Sequence, residues 1–139
     1  MRNKTVNEVE INNIDKKIVL YIEDNPANLR LVEQLLSHMD SVRMMGAPEP
    51  LMGLELAAVH KPDLILMDIN LPTMDGYTAL KRLRKMEELK NTPVLAISAN
   101  VMAKDIEKGL AAGFDDYITK PINIHMLLKS VANILEKNT

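Results

Sequence analysis

Along this chain, short unbroken apolar runs alternate with longer stretches in which apolar residues return every three or four positions. The runs are KIVLYI (17–22), VRMMGA (42–47), DLILMD (63–68), PVLAIS (93–98) and DYITK (116–120). Short runs with β-branched residues, bounded by turn formers, are the pattern of buried strands. Between them, Val32, Leu35, Leu36 and Met39 fall at helical spacing. They predict an amphipathic helix over 26–39, with Asn25 as N-cap and Pro26 in its first turn. A second helix is expected over 51–60, with Leu51, Leu54 and Ala58 inward. Pro48, Pro50 and Gly53 predict that it starts late or packs loosely, because glycine weakens a helix interior. Asp75 is expected to cap a third helix that runs to about Glu88 on Tyr77, Leu80 and Leu83. A short fourth helix covers 102–112, with Gly109 inside it and Gly113 just past its end. Asn123 begins the last, which carries Ile124, Leu127, Leu128, Val131 and Leu135.

Five strands alternating with five helices predict an α/β fold with a parallel sheet covered on both faces. Residues 1–16 are polar and lack sustained periodicity, so they read as a flexible lead or linker, and 17–137 as a single domain. A chain of 139 residues suits that organisation. Aromatics are 3% of the chain and Met numbers 10, so the core must be aliphatic with Met filling gaps. The absence of Cys excludes disulfides and thiolate chemistry. A net charge of −2 and a pI near 5.9 leave no basic footprint for nucleic acid. The first residues lack the apolar core of a signal peptide, and no apolar run reaches the roughly 18 residues of a membrane span. A cytoplasmic location is expected. His38, His60 and His125 fall in different elements without ligand spacing and read as surface residues.

The chemistry gathers where the strands end. In an open parallel sheet, ligands collect at the carboxyl ends of the strands, where the winding reverses. Strand one ends in Glu23 and Asp24, strand three in Asp68, strand four in Ser98 and strand five in Lys120. If the strand order is 2-1-3-4-5, three carboxylates share one shallow pocket with a hydroxyl and an ammonium. One lysine cannot neutralise three acids. Hard oxygen ligands with a charge surplus suit a divalent cation of the Mg²⁺ type. Without metal, like-charge repulsion should raise at least one carboxyl pKa. With metal, an aspartate there could attack a phosphoryl group. Each residue alone has a plainer explanation: Asp24 as a helix-start acid, Asp68 as a loop-start residue, Ser98 as a turn residue, Lys120 as a solvated side chain. Their joint placement at four strand ends argues against all of these together.

The chain resembles the receiver domain of two-component response regulators, similar to receivers of hybrid histidine kinases. The likeness rests on VLYIEDNPANLRLVEQLL, PDLILMDINLPTMDGYTAL, TPVLAISA and AAGFDDYITKPIN, in that order. It implies a five-stranded parallel sheet of order 2-1-3-4-5. It implies that Asp68 accepts a phosphoryl group from the phosphohistidine of a histidine kinase or a histidine phosphotransfer protein. Glu23, Asp24, Asp68 and the backbone carbonyl of Asn70 would hold Mg²⁺ (or Mn²⁺), Asp24 directly and Glu23 through water. Ser98 and Lys120 would contact the phosphoryl group, Ser98 and Tyr117 would form the switch, and Pro121 would be cis. Asn70 and Asn100 would modulate dephosphorylation. The implied protein is a signalling switch and not an enzyme, beyond self-phosphorylation and slow autodephosphorylation. An output partner would use the 102–137 face, and the chain would be a monomer or weak dimer. Two other classes compete. A haloacid-dehalogenase-type phosphatase would normally place a second Asp where Asn70 stands. A flavodoxin-like binding protein would need small or hydroxyl residues where IEDNPAN places acids.

Overall fold

Five strands, β1 (Lys17–Ile22), β2 (Val42–Ala47), β3 (Leu64–Asp68), β4 (Val94–Ser98) and β5 (Asp116–Thr119), form one parallel sheet in the order β2-β1-β3-β4-β5. The structure is a computed structural model and describes residues 16–137. The polar lead therefore lies outside the described residues up to residue 15. Helices α1 (Pro26–Leu36) and α5 (Ile124–Lys137) cover one face, where Val32, Leu36, Leu127, Val131 and Leu135 pack on Val19, Tyr21, Leu64, Leu66, Leu95 and Ile97. Helices α2 (Pro50–His60) and α3 (Gly76–Lys85) cover the other, through Leu54, Ala57, Ala79, Leu80 and Leu83 against Leu20, Ile22, Ile65, Met67 and Ala96. The fourth helix, α4 (Ala103–Ala112), lies against β5. Apart from Lys17 and the terminal Asp68 and Ser98, strands β1, β3 and β4 are apolar throughout because both of their faces are covered. Each such Leu or Ile contributes about 1.5–3 kcal/mol by leaving water.

The helix starts follow the sequence. Asn25 Oδ1 accepts from Ala27 N at 2.8 Å, Asp75 Oδ1 from Thr78 N at 2.8 Å and Asn123 Oδ1 from Met126 N at 3.0 Å. Each satisfies an N–H that the helix itself leaves unpaired. Gly113 ends α4 at φ 114. The strand boundaries fall within one residue of the expected ones, and His38, His60 and His125 are all exposed.

Four expectations need correction. Helix α1 stops at Leu36, and Met39 is carried by a tight turn in which its N–H donates to Leu36 O. Helix α2 neither starts late nor packs loosely. Pro50 opens it, and the Glu49 carboxylate accepts from Met52 N at 2.6 Å and Leu51 N at 3.2 Å. Its inward residues are Pro50, Gly53, Leu54 and Ala57, while Leu51 and Ala58 face out. The rotation has a steric cause. Gly53 presses on β1 so closely that a Cβ would lie 2.5 Å from Ile22 Cδ1. Helix α3 ends at Lys85, because Met86 turns extended (φ −82°, ψ 121°) and a 3-10 turn at Glu87–Leu89 then buries Leu89. Finally, Ile124 is exposed rather than inward. Among the described residues, no helix is long and apolar enough to cross a membrane.

Candidate functional site

The strand order makes β1 and β3 neighbours, with Ile22 paired to Met67. The next residues of each strand path, Glu23 and Asp68, therefore emerge side by side. Beyond them, Asp68 pairs with Ile97 and Ser98 with Thr119, which brings the ends of β4 and β5 to the same pocket. Glu23, Asp68 and Ser98 are the buried polar side chains of the described chain, while Asp24 is exposed. Carboxylate oxygens of Glu23, Asp24 and Asp68 lie within 4.8 Å of one another.

Lys120 is drawn into this cluster and is not freely solvated. Its Nζ stands 2.9 Å from Asp68 Oδ2 and 3.0 Å from Glu23 Oε1. Its backbone N donates to Ser98 O at 2.8 Å, and the Lys120–Pro121 bond is cis. Asn70 N donates to Asp68 Oδ1 at 2.9 Å. Ser98 Oγ accepts from Asn100 N at 3.0 Å and from Asn70 Nδ2 at 3.3 Å, which leaves its O–H free to donate into the pocket.

Two supporting residues escaped the reading of the sequence. Glu23 Oε1 also accepts from Asn28 Nδ2 at 2.7 Å and from Tyr21 O–H at 3.1 Å. Tyr21 is two positions before Glu23, where strand alternation puts side chains on one face. Asn28 is in the first turn of α1, directly after the acids. Both spacings were visible, but neither residue type by itself announces a carboxylate partner.

The electrostatics divide the two buried acids. Burial raises Asp68, the shared hydrogen bond with Glu23 adds to this, and together they carry its pKa to about 6 against the pull of Lys120 and Asn70. Burial also penalises ionised Glu23, but hydrogen bonds from Asp68, Asn28 and Lys120 outweigh it and hold that pKa at about 2. The Tyr21 hydroxyl is pushed up by burial and by the neighbouring Glu23 charge. Lys120 is raised: burial works against its charge, but Asp68 and Glu23 more than compensate.

A cation fits this donor set. Glu23 Oε2 is buried and has no hydrogen-bond partner, and Lys120 alone faces three carboxylates. An unsatisfied buried carboxylate oxygen beside two further carboxylates is what an oxygen-seeking divalent ion satisfies.

Farther out, the Tyr117 hydroxyl donates to Asn100 O at 3.0 Å. Its ring lies over Gly109, where a Cβ would sit 2.8 Å from Tyr117 Cδ2. The glycine inside α4, which weakens that helix, is what lets the ring lie there. Thus Asn100 touches both ends of the arrangement, Ser98 through its N–H and Tyr117 through its carbonyl.

The model of the response regulator receiver domain matches residues 19–132. The chain belongs to that family. It is 37% identical over 121 residues to the polar-differentiation response regulator DivK of Brucella ovis, across 86% of this chain and 96% of the relative. The receiver domain of Francisella response regulator 1452 superposes with a TM-score of 0.82 at 28% identity, covering 89% of this chain and all of that one. The receiver domain of the sensor histidine kinase PA1611 of Pseudomonas aeruginosa superposes with a TM-score of 0.78 at 30% identity, over 87% of this chain and 98% of that one. That structure holds a magnesium ion coordinated in its active-site cleft. Receiver domains are signalling domains of two-component systems, generally phosphorylated on an aspartate, and not enzymes in the ordinary sense. Response regulator receivers interact with histidine kinases or phosphotransfer proteins.

Proposed function

We propose that this receiver is switched by phosphorylation of Asp68, with a phosphohistidine of a sensor kinase or phosphotransfer protein as donor. The observation that carries this reading is the buried Asp68 carboxylate, bonded by Lys120 Nζ and clustered with the Glu23 and Asp24 carboxylates. An Asp68 oxygen attacks phosphorus, the bond from phosphorus to the donor imidazole nitrogen breaks, and that nitrogen leaves with the electron pair and takes up a proton. The product is an acyl phosphate. Glu23, Asp24, Asp68 and the Asn70 carbonyl are the proposed holders of Mg²⁺ (or Mn²⁺), which supplies neutralisation of the charge on the transferring oxygens. Lys120 carries a positive charge to the same oxygens, and the Ser98 O–H donates to one of them. Asn70 and Asn100 flank the pocket and tune how fast water removes the group.

A phosphoryl group adds roughly −1.5 to −2 charge at neutral pH. Ser98 moving toward it would break its contact with Asn100 N and free the Asn100 segment to which Tyr117 is tied. The response would be read at the 102–137 face, where Met102, Leu110, Ile124 and Met126 are exposed. The test is intact mass after incubation with acetyl phosphate and Mg²⁺. Wild type should gain one phosphoryl group and lose the gain when the metal is chelated. Equal gain by Asp68→Asn would refute the reading.

A further inference from the structure

Glu23 is tied down at one oxygen and left alone at the other. Three donors meet at Oε1: Asn28 Nδ2 at 2.7 Å, Lys120 Nζ at 3.0 Å and the Tyr21 O–H at 3.1 Å. Oε2 of the same buried carboxylate has none. A carboxylate offers about four lone-pair sites over its two oxygens, so donors placed only to satisfy its charge would be shared between them. Here they crowd onto one.

The donors come from separate elements, each fixed in its own way. Tyr21 stands in β1 two residues before Glu23, on the same side of the strand. Its ring is fully buried in the core beneath α1 and α5. A phenylalanine would fill that space and need no acceptor. Asn28 stands in the first turn of α1, whose start Asn25 caps. The backbone is held as well, since Glu23 N donates to Ala47 O at 3.0 Å. A glutamate side chain loses much rotamer freedom when it is fixed on a ligand, and here that freedom is already gone before any ion arrives.

We infer, on the strength of the Mg²⁺ site proposed above, that Tyr21 and Asn28 are positioning residues for the metal: they hold Glu23 by Oε1 and so reserve Oε2 for a divalent cation. This role explains why two neutral donors accompany the lysine. Lys120 is shared with Asp68 Oδ2 at 2.9 Å, and it is the donor that turns to the phosphoryl oxygens. When it does, Tyr21 and Asn28 still occupy Oε1, and Glu23 keeps its aim. Partners that orient a ligand in this way typically matter about 10–100-fold in metal affinity.

The test is titration of the full chain with MgCl₂, followed by its amide ¹H–¹⁵N resonances, which report the dissociation constant and the fold together. Tyr21→Phe keeps the ring and loses only the hydroxyl; Asn28→Ala loses the amide. Each should raise the dissociation constant about three- to tenfold, and the two together at least about tenfold. In a Glu23→Ala background the same changes should leave the constant within about twofold, because they act through Glu23. A purely structural role would lower urea midpoints in both backgrounds and leave Mg²⁺ affinity alone. Wild-type affinity in either single variant overturns the inference, as does an equal loss with and without Glu23. Both results leave the phosphoryl reading intact. A chain that binds Mg²⁺ with the expected dependence but gains no mass from acetyl phosphate refutes the phosphoryl reading and leaves this role standing. A wild type that binds no Mg²⁺ overturns the role and the metal site together.

Discussion

Asp68 and Glu23 share one lysine and respond to acid in opposite senses. Folding raises the Asp68 pKa from 3.8 to about 6, so the folded chain holds that proton more tightly than the unfolded chain. Its contribution to stability is complete below about pH 4 and is lost as pH rises through about 6. Glu23 is lowered from 4.5 to about 2, so its contribution is present above pH 4.5 and lost on acidification toward 2. Between pH 4.5 and 6 only the Asp68 change operates. Chelated protein should therefore lose stability as pH rises across that window, on the order of 2 kcal/mol for the part of the shift that falls inside it. Urea midpoints at successive pH values measure it. Saturating Mg²⁺ should remove the loss, because the ion binds ionised Asp68, and its affinity should fall as pH drops below 6. Lys120→Ala removes the cation from two buried carboxylates. It should cost about 3–5 kcal/mol without metal, and Mg²⁺ should restore part of that.

One glycine misled the reading of its helix, and contact explains the glycines inside both helices. Gly53 signalled a loose α2, yet its missing Cβ is what lets the helix press on Ile22. Gly53→Ala should therefore destabilise, by about 1–3 kcal/mol, despite the gain in helix propensity of about 1 kcal/mol. Shortening the opposing side chain with Ile22→Val should recover part of the loss in a double-mutant cycle read by urea melts. Gly109 serves Tyr117 in the same way. Gly109→Ala should expel the ring and break its bond to Asn100 O, which a shift of the Tyr117 ring resonances would show. Unchanged resonances would remove Gly109 from the account.

For the molecule as a whole, the strands and the polar residues Glu23, Asp24, Asp68, Ser98 and Lys120 at their carboxyl ends were legible in the sequence, while the strand order that gathers them came only through the resemblance to receivers. The apolar runs marked the strands, and each polar residue followed a run. The face of α2 was not legible, because a helix apolar on every side has no periodic signal to orient it. Nor were Asn28 and Tyr21, whose roles depend on which way Glu23 points. The role proposed for the pocket was legible only from the set: one carboxylate bonded by a lysine beside further acids. The most direct measurement is chemical mapping of the modified residue. Protein treated with acetyl phosphate and Mg²⁺ is reduced with borohydride, which converts an aspartyl phosphate to homoserine, and its peptides are sequenced by mass spectrometry. Homoserine at position 68 alone is the predicted result; homoserine at 24, 5-hydroxynorvaline at 23, or no reduced residue anywhere would contradict it.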